Sequence, residues 1–251
     1  MSEINTFCYI SFFGMMRSGN HAILHFVYRL YGNPKAFFNN NILYEDVKNN
    51  KHNLVTKKYI RKKNRELMLI SYEDEDVSSI DYDKVVPNVN DLVGNVDRHI
   101  NMLCIRDPFN TFASRMKFKW TNGSLGDTKG IVGLENMVSC WKVYAKECLS
   151  LTNNTPNKIV VNFNTWFAES NYRKSLAESL GQKFKEKKWD SITKEGHGSS
   201  WKQKVITTES LISRWRYFKD DDFFRQLFQD DELWELSFKL FGKIDGTEIL
   251  R

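Results

Sequence analysis

The stretch Phe7-Cys8-Tyr9-Ile10-Ser11-Phe12-Phe13-Gly14-Met15-Met16-Arg17-Ser18-Gly19-Asn20-His21 decides the fold. Residues 7–13 are apolar and rich in β-formers, the pattern of a strand buried on both faces of a parallel sheet. Residues 14–21 form a loop with the G-x-x-x-x-G spacing of a phosphate-binding turn. Beyond it, Ile23, Phe26, Val27 and Leu30 recur at helical spacing, and Gly32-Asn33-Pro34 stops that helix. A strand, a glycine loop and a helix in this order point backbone N–H groups and a helix N-terminus at an anion. In the ATPase form of the loop, Lys and then Ser or Thr follow the second glycine. Here Asn20 and His21 stand in those places. The missing hydroxyl would have held magnesium, and the missing Lys would have reached the β- and γ-phosphates. The loop therefore suits a phosphate but is ill equipped to hydrolyse a magnesium triphosphate. Arg17, one step before Ser18-Gly19, supplies positive charge from a different place.

Working outward, residues 67–70, 102–105 and 158–161 read as further short buried strands. Residues 35–66, polar, Asn-rich and basic, read as mostly irregular. Residues 109–119, 134–151 and 170–180 read as helices, the last closed by Gly181. Residues 121–133, with four glycines, read as a mobile loop. From Glu209 the chain reads as helical, and its Trp and Phe stripe over 211–241 as core. Strands alternating with helices predict a three-layer α/β/α architecture with a central parallel sheet. No repeat or linker divides the chain, so residues 1–251 read as one domain. Ligands in such sheets bind at the carboxyl ends of the strands.

Composition narrows the function classes. The chain has 251 residues, 41% hydrophobic, 27% charged and 14% aromatic, which excludes a disordered or fibrous protein. A formal net charge of +6 permits an anionic partner without naming one. Cys8, Cys104, Cys140 and Cys148 contain no C-x-x-C pair, so reduced thiols in a cytoplasmic protein are expected. The apolar run 7–13 is too short for a secretory signal or a membrane span. Residues 57–65 are the one dense basic stretch and read as a solvated surface. A non-enzymatic nucleic-acid binder built on them, with Tyr59 interleaved, is one rival reading. A kinase-like enzyme acting on ATP is the other, opposed by Asn20 and His21.

A second loop begins where the third of these strands ends: Arg106-Asp107-Pro108-Phe109-Asn110-Thr111-Phe112-Ala113-Ser114-Arg115. Arg106 stands at the strand mouth, and Ser114 lies about two helical turns further on. Arg suits bidentate phosphate binding, and a Ser hydroxyl adds a hydrogen bond. Together the two loops resemble those of the sulfotransferases that use 3′-phosphoadenosine 5′-phosphosulfate (PAPS). Arg17-Ser18-Gly19 resembles their 5′-phosphosulfate loop, and Arg106 with Ser114 their 3′-phosphate motif. Gly196-His197-Gly198-Ser199-Ser200-Trp201 is similar to a late Gly/Ser segment whose aromatic packs near the adenine. Asn162-Phe163-Asn164-Thr165-Trp166 is similar to another segment near the nucleotide. Asn20-His21 departs from the family's usual Thr-Thr. The resemblance implies a P-loop-like sulfotransferase fold. It also implies PAPS as cosubstrate, bound by Arg17, Ser18, Gly19, Asn20, His21, Arg106, Ser114, Gly198, Ser199, Ser200 and Trp201, with no metal. The expected acceptor is a small molecule, with no nucleic acid or membrane partner.

Sulfuryl transfer needs a base for the acceptor's proton, a cation at the departing oxygen and in-line positioning. Arg17 is the expected cation. The family places a His or an acidic residue between the two phosphate motifs, which here leads to Glu73, with Asp74 behind it. A neighbouring carboxylate and partial burial would raise the Glu73 pKa toward the working pH. His21 is the rival base, with the right intrinsic pKa. His21 and His25, four apart, lack a third ligand for zinc. His52 and His99 carry no signal. Arg214-Trp215-Arg216 reads as a solvated helix face, although one Arg could reach the 3′-phosphate. Residues 35–60 and 121–133 are the expected acceptor loops.

Overall fold

A computed structural model describes residues 8–32, 35–39, 66–85, 96–122, 133–185 and 207–251. Five strands are described: β1 (Cys8–Gly14), β2 (Ala36–Asn39), β3 (Leu67–Glu73), β4 (Arg98–Ile105) and β5 (Lys158–Asn162). They form one parallel sheet in the order β2-β3-β1-β4-β5. The longer helices are α1 (Asn20–Tyr31), α2 (Pro108–Asn122), α3 (Met137–Cys148), α4 (Phe163–Ala168) and α5 (Ser170–Ser179). The C-terminal part adds α6 (Thr208–Ile212), α7 (Asp222–Gln226) and α8 (Asp231–Phe241).

The period-2 alternation of the strands builds two cores, one on each face of the sheet. Tyr9, Phe13, Met68, Ile70, Tyr72, Leu103 and Ile105 point to one face, where they meet Phe112 and Met116 of α2 and Trp141 of α3. Cys8, Ile10, Phe12, Leu67, Leu69, Met102 and Cys104 point to the other. There they meet Ile23 and Phe26 of α1, Trp166 of α4 and Leu176 of α5. This is the three-layer architecture read from the sequence. Trp215, Phe218, Phe224 and Phe228 join the first core, as expected of the late aromatic stripe.

Several boundaries differ from the sequence reading. Ala36–Asn39, inside the segment read as irregular, is an edge strand paired with Leu67–Ile70. Four residues in a polar context carry too little periodicity to show themselves, and pairing with β3 makes them a strand. β3 runs on past Ile70 to Glu73, so Ser71, Tyr72 and Glu73 are buried within the sheet. β4 begins at Arg98, earlier than its apolar part. Its His99 stacks on Tyr9 at 4.9 Å and bonds Ser11 Oγ at 2.9 Å; burial pushes its pKa down to about 4. The helix read over 134–151 is a 3₁₀ turn, Leu134–Asn136, followed by α3. The basic stretch 57–65, His52, the segment 196–201, and most of 35–60 and 121–133 lie outside the described residues.

β1 is central, with β3 on one side and β4 on the other. In register, Gly14 stands opposite Glu73 and Cys104. The chain leaves β1 toward β2 and β3 and returns past it to β4 and β5. The carboxyl ends of β1, β3 and β4 therefore meet at a topological switch point, the position where such sheets bind ligands.

On the way into β5, Glu147 of α3 organises the connection. It accepts hydrogen bonds from Thr152 Oγ1 (2.7 Å), the Asn154 and Thr155 amides (3.1 and 3.0 Å) and Lys158 Nζ (2.9 Å). Burial alone would raise its pKa, but Lys158, Thr152 and the two amides outweigh it and hold the carboxyl below its ordinary value. A depressed carboxylate stabilises the fold above its unfolded pKa and loses that contribution as pH falls through the folded one. Glu147→Gln should cost about 2–3 kcal/mol at pH 7, lowering the melting temperature by roughly 4–12 °C. The gap should shrink below about pH 4, where the wild-type carboxyl protonates. A gap of equal size at pH 3 and pH 7 would contradict this role.

Candidate active site

The loop after β1 is shaped by its two glycines. A Cβ on Gly14 would lie 2.4 Å from Asn20 Oδ1, and one on Gly19 would lie 2.2 Å from the Phe163 ring. Gly19 (φ 92°) and Arg17 (φ 76°) are both left-handed. For an Arg this costs of order 1–3 kcal/mol, strain that functional loops retain. α1 starts directly after Gly19. Among the described residues it has no side-chain cap and no acidic residue in its first turn. Its first N–H groups and positive dipole end lie at the loop. α2 is different: the Asp107 carboxylate accepts from the Asn110 amide at 2.8 Å and caps it.

A buried ion pair fixes this loop from below. Asp74 (φ 59°) is the first residue after β3. Its Oδ1 accepts from the Met16 amide (2.8 Å) and Arg115 Nη1 (2.8 Å), and its Oδ2 from Arg115 Nη2 (3.0 Å). Arg115 Nη1 also donates to Met16 O (3.2 Å), and the Asp74 amide donates to Gly14 O (3.2 Å). Both side chains are fully buried. Asp74, second in line as the base, is thus committed to Arg115 and the loop. Arg115 was not singled out by sequence; its one signal was its place beside Ser114.

Glu73 ends β3 opposite Gly14 and is nearly buried. Its Oε1 accepts from Asn20 Nδ2 at 2.9 Å. Burial pushes its pKa up and the Asn20 hydrogen bond opposes this. Asp74 adds to the rise, and Arg17 and Arg115 counter it. Arg17 lies with its guanidinium carbon 5.3 Å from the Phe118 ring, and its own pKa is lowered by burial against the pull of Glu73. Ser18 is buried, and His21 lies half-buried in the first turn of α1. The Asn20 side chain is directed inward, so that residue offers a ligand its backbone N–H.

Two further cations join the site, Arg106 just after β4 and Arg214 from the C-terminal part. Arg106 is buried; Trp141 Nε1 donates to its carbonyl at 2.9 Å. Its guanidinium donates to Arg17 O (3.4 Å) and Leu211 O, and lies 5.4 Å from the Phe163 ring centre. Burial pulls the Arg106 pKa down to about 10; Asp107 opposes this, and Arg17 adds to it. Ser114 is buried on α2 and accepts from Arg214 Nη1 at 3.2 Å. Arg214 is therefore no solvated helix residue. The 3₁₀ turn Arg214–Phe218 packs against α2, with the Trp215 amide bonded to Asn110 Oδ1 (3.4 Å) and Trp215 and Phe218 in the core. Burial of those rings carries Arg214 inward. Its pKa falls to about 8, first from burial and then from the repulsion of Arg106 and Arg17.

The segment after β5 joins the two loops. Asn162 caps α4 by accepting from the Thr165 amide at 3.2 Å. Asn164 Nδ2 donates to Asp107 Oδ2 at 3.0 Å. Phe163 between them touches both the Gly19 side and the Arg106 guanidinium. Of the residues expected at the site, Arg17, Ser18, Gly19, Asn20, His21, Glu73, Arg106 and Ser114 lie at one end of the sheet, and Arg214 joins them. Gly198, Ser199, Ser200 and Trp201 lie outside the described residues. Among the described residues no group of three or more His, Cys, Asp or Glu side chains is placed to hold a metal ion. Nor is any described helix long and apolar enough to cross a membrane.

No protein-family model and no curated protein matches the sequence. Solved structures do resemble the fold. The sulfotransferase domain of the Synechococcus PCC 7002 olefin synthase aligns over 95% of this chain and 96% of its own. Its TM-score is 0.52 at 12% identity. The sulfotransferase domain of the curacin biosynthetic pathway aligns over 94% and 98%, with TM-score 0.49 at 12% identity. Mouse sulfotransferase SULT7A1 complexed with PAP aligns over 98% and 91%, with TM-score 0.43 at 12% identity. With the olefin synthase domain as the basis, the chain has the α/β fold of a sulfotransferase domain.

The Asp74–Arg115 pair gives this site a stability test. Removing one partner of a buried pair costs about 3–5 kcal/mol, because the other charge stays buried alone. Asp74→Asn and Arg115→Met should each lower the melting temperature by roughly 6–20 °C. The double variant should lose less than the sum of the two singles. Strictly additive losses would show that the two side chains do not act as a pair.

Proposed function

We propose that this protein transfers a sulfuryl group from PAPS to a hydroxyl (or amine) of a small-molecule acceptor, without a metal ion. The observation that carries the reading is the set of arginines Arg17 after β1, Arg106 after β4 and Arg214 of the 3₁₀ turn. Arg106 and Arg214 are buried, and burial first, then the repulsion of Arg106 and Arg17, lowers the Arg214 pKa. Asp107, 3.9 Å from Arg106 Nε, and Glu73, which faces Arg17, offset two of the three charges, so the cluster keeps a net positive charge for an anion. In this reading residues 14–21 and the start of α1 receive the 5′-phosphosulfate. Arg106, Ser114 and Arg214 receive the 3′-phosphate.

Glu73 is the proposed base, with His21 the rival. The acceptor oxygen or nitrogen attacks sulfur, and the bond from sulfur to the bridging phosphate oxygen breaks. Glu73 takes the acceptor proton, and Arg17 stabilises the charge left on the departing 3′-phosphoadenosine 5′-phosphate (PAP). The free thiols Cys8, Cys104, Cys140 and Cys148 favour a reducing, cytoplasmic setting.

The test is transfer from sulfur-labelled PAPS to a panel of phenols, alcohols and amines, in the presence of a chelator. Arg17→Ala should lower turnover about 10²–10³-fold. Glu73→Gln should lower it about 10²–10⁴-fold, with PAP affinity nearly unchanged. A base works deprotonated, so turnover should rise with pH through a midpoint above the ordinary carboxylate range, as burial raises Glu73. Normal turnover by Glu73→Gln would exclude it as the base. Magnesium-dependent turnover of ATP without transfer from PAPS would overturn the reading.

A further inference from the structure

Asn20 occupies the place of the phosphate-loop Lys, yet its side chain is 2% exposed and turned into the protein. Its Nδ2 donates to Met15 O (3.0 Å), Gly14 O (3.3 Å) and Glu73 Oε1 (2.9 Å). The two carbonyls settle which end of the amide faces which way, since exchanging oxygen and nitrogen would set Oδ1 against both of them. Oδ1 instead rests against Gly14, where a Cβ would lie 2.4 Å away. It has no hydrogen-bond partner among the described residues. A buried unpartnered oxygen is costly, and its retention calls for a compensating role. A glycine at the end of β1, an asparagine at the start of α1 and a carboxylate at the end of β3 thus form one interlocking unit.

We propose that Asn20 is a positioning residue for the base, its amide holding Glu73 in place and in its ionised form. The inference rests on the reading of Glu73 as base and goes beyond it by assigning the residue that makes Glu73 competent. The amide donates to the carboxylate, and a hydrogen bond to the charged form favours that form. Other groups facing Glu73 are Arg17 from the loop, Asp74 from its own strand end, Arg115 from α2 and Cys104 from β4. Arg115 is already paired with Asp74. Burial disfavours the ionised carboxylate, and the Asn20 hydrogen bond comes first among the influences opposing it.

The test needs no acceptor. Glutamate labelled with ¹³C at the carboxyl reports the Glu73 titration by NMR, the resonance being assigned by its loss in Glu73→Gln. In Asn20→Ala the Glu73 midpoint should move up by about one pH unit or more. Asn20→Thr, which keeps one donor hydroxyl, covers the case in which the alanine variant does not fold. It should move the midpoint in the same direction by less. An unmoved midpoint in a folded variant overturns the proposal. So does a more than tenfold loss of PAP affinity with an unmoved midpoint, which would make Asn20 a nucleotide contact. Failure of the sulfotransferase reading is a separate result: wild-type protein that binds no PAP, whatever Glu73 does on titration.

Discussion

Arg115 reaches from α2 to Asp74 with two parallel hydrogen bonds, and the same carboxylate accepts the Met16 amide. That arrangement ties the end of β3, the loop after β1 and the second helix turn of α2 into one rigid piece. Without it, a loop with two left-handed residues would have little reason to keep one shape. Buried ion pairs seldom add stability beyond an apolar equivalent. Here the pair serves geometry instead, holding Gly14–Met16 so that Arg17, Ser18 and the first turn of α1 stand in fixed positions.

The charge pattern follows from that rigidity. Arg17 and Arg106 are joined through the Arg17 carbonyl, and Arg106 and Arg214 flank Ser114 and Phe163. Like charges held together away from water repel strongly, which is why burial and mutual repulsion both lower the Arg214 pKa. A protein that maintains such a cluster gains most when an anion enters it. Glu73 accepts a hydrogen bond from the Asn20 amide, and Arg17 and Arg115 also act on its charge.

The central layer of the fold was legible because β1, β3 and β4 are apolar runs that end in glycine, acidic and arginine signals. The first loop and Arg106 with Ser114 were legible because they are local in sequence. β2 was not, since four residues owe their strand state to pairing with β3. Arg214 was misread because exposure cannot be inferred from a charge alone. Trp215 and Phe218, two neighbours that had to be buried, were the signal that Arg214 would follow them inward. The partnership of Asp74 with Arg115, 41 residues apart, has no local pattern at all. The inward turn of Asn20 was also invisible, because phosphate loops are read for what they offer a ligand.

The central claim is that this end of the sheet is built for a nucleotide carrying both a 5′ and a 3′ anion. Calorimetry comparing PAP with adenosine 5′-phosphate tests it most directly, because only the 3′-phosphate differs. Loss of charge-assisted bonds from Arg106, Ser114 and Arg214 should weaken binding by about 100-fold or more. The preference should collapse in Arg106→Ala. Equal affinity for the two nucleotides would contradict the account.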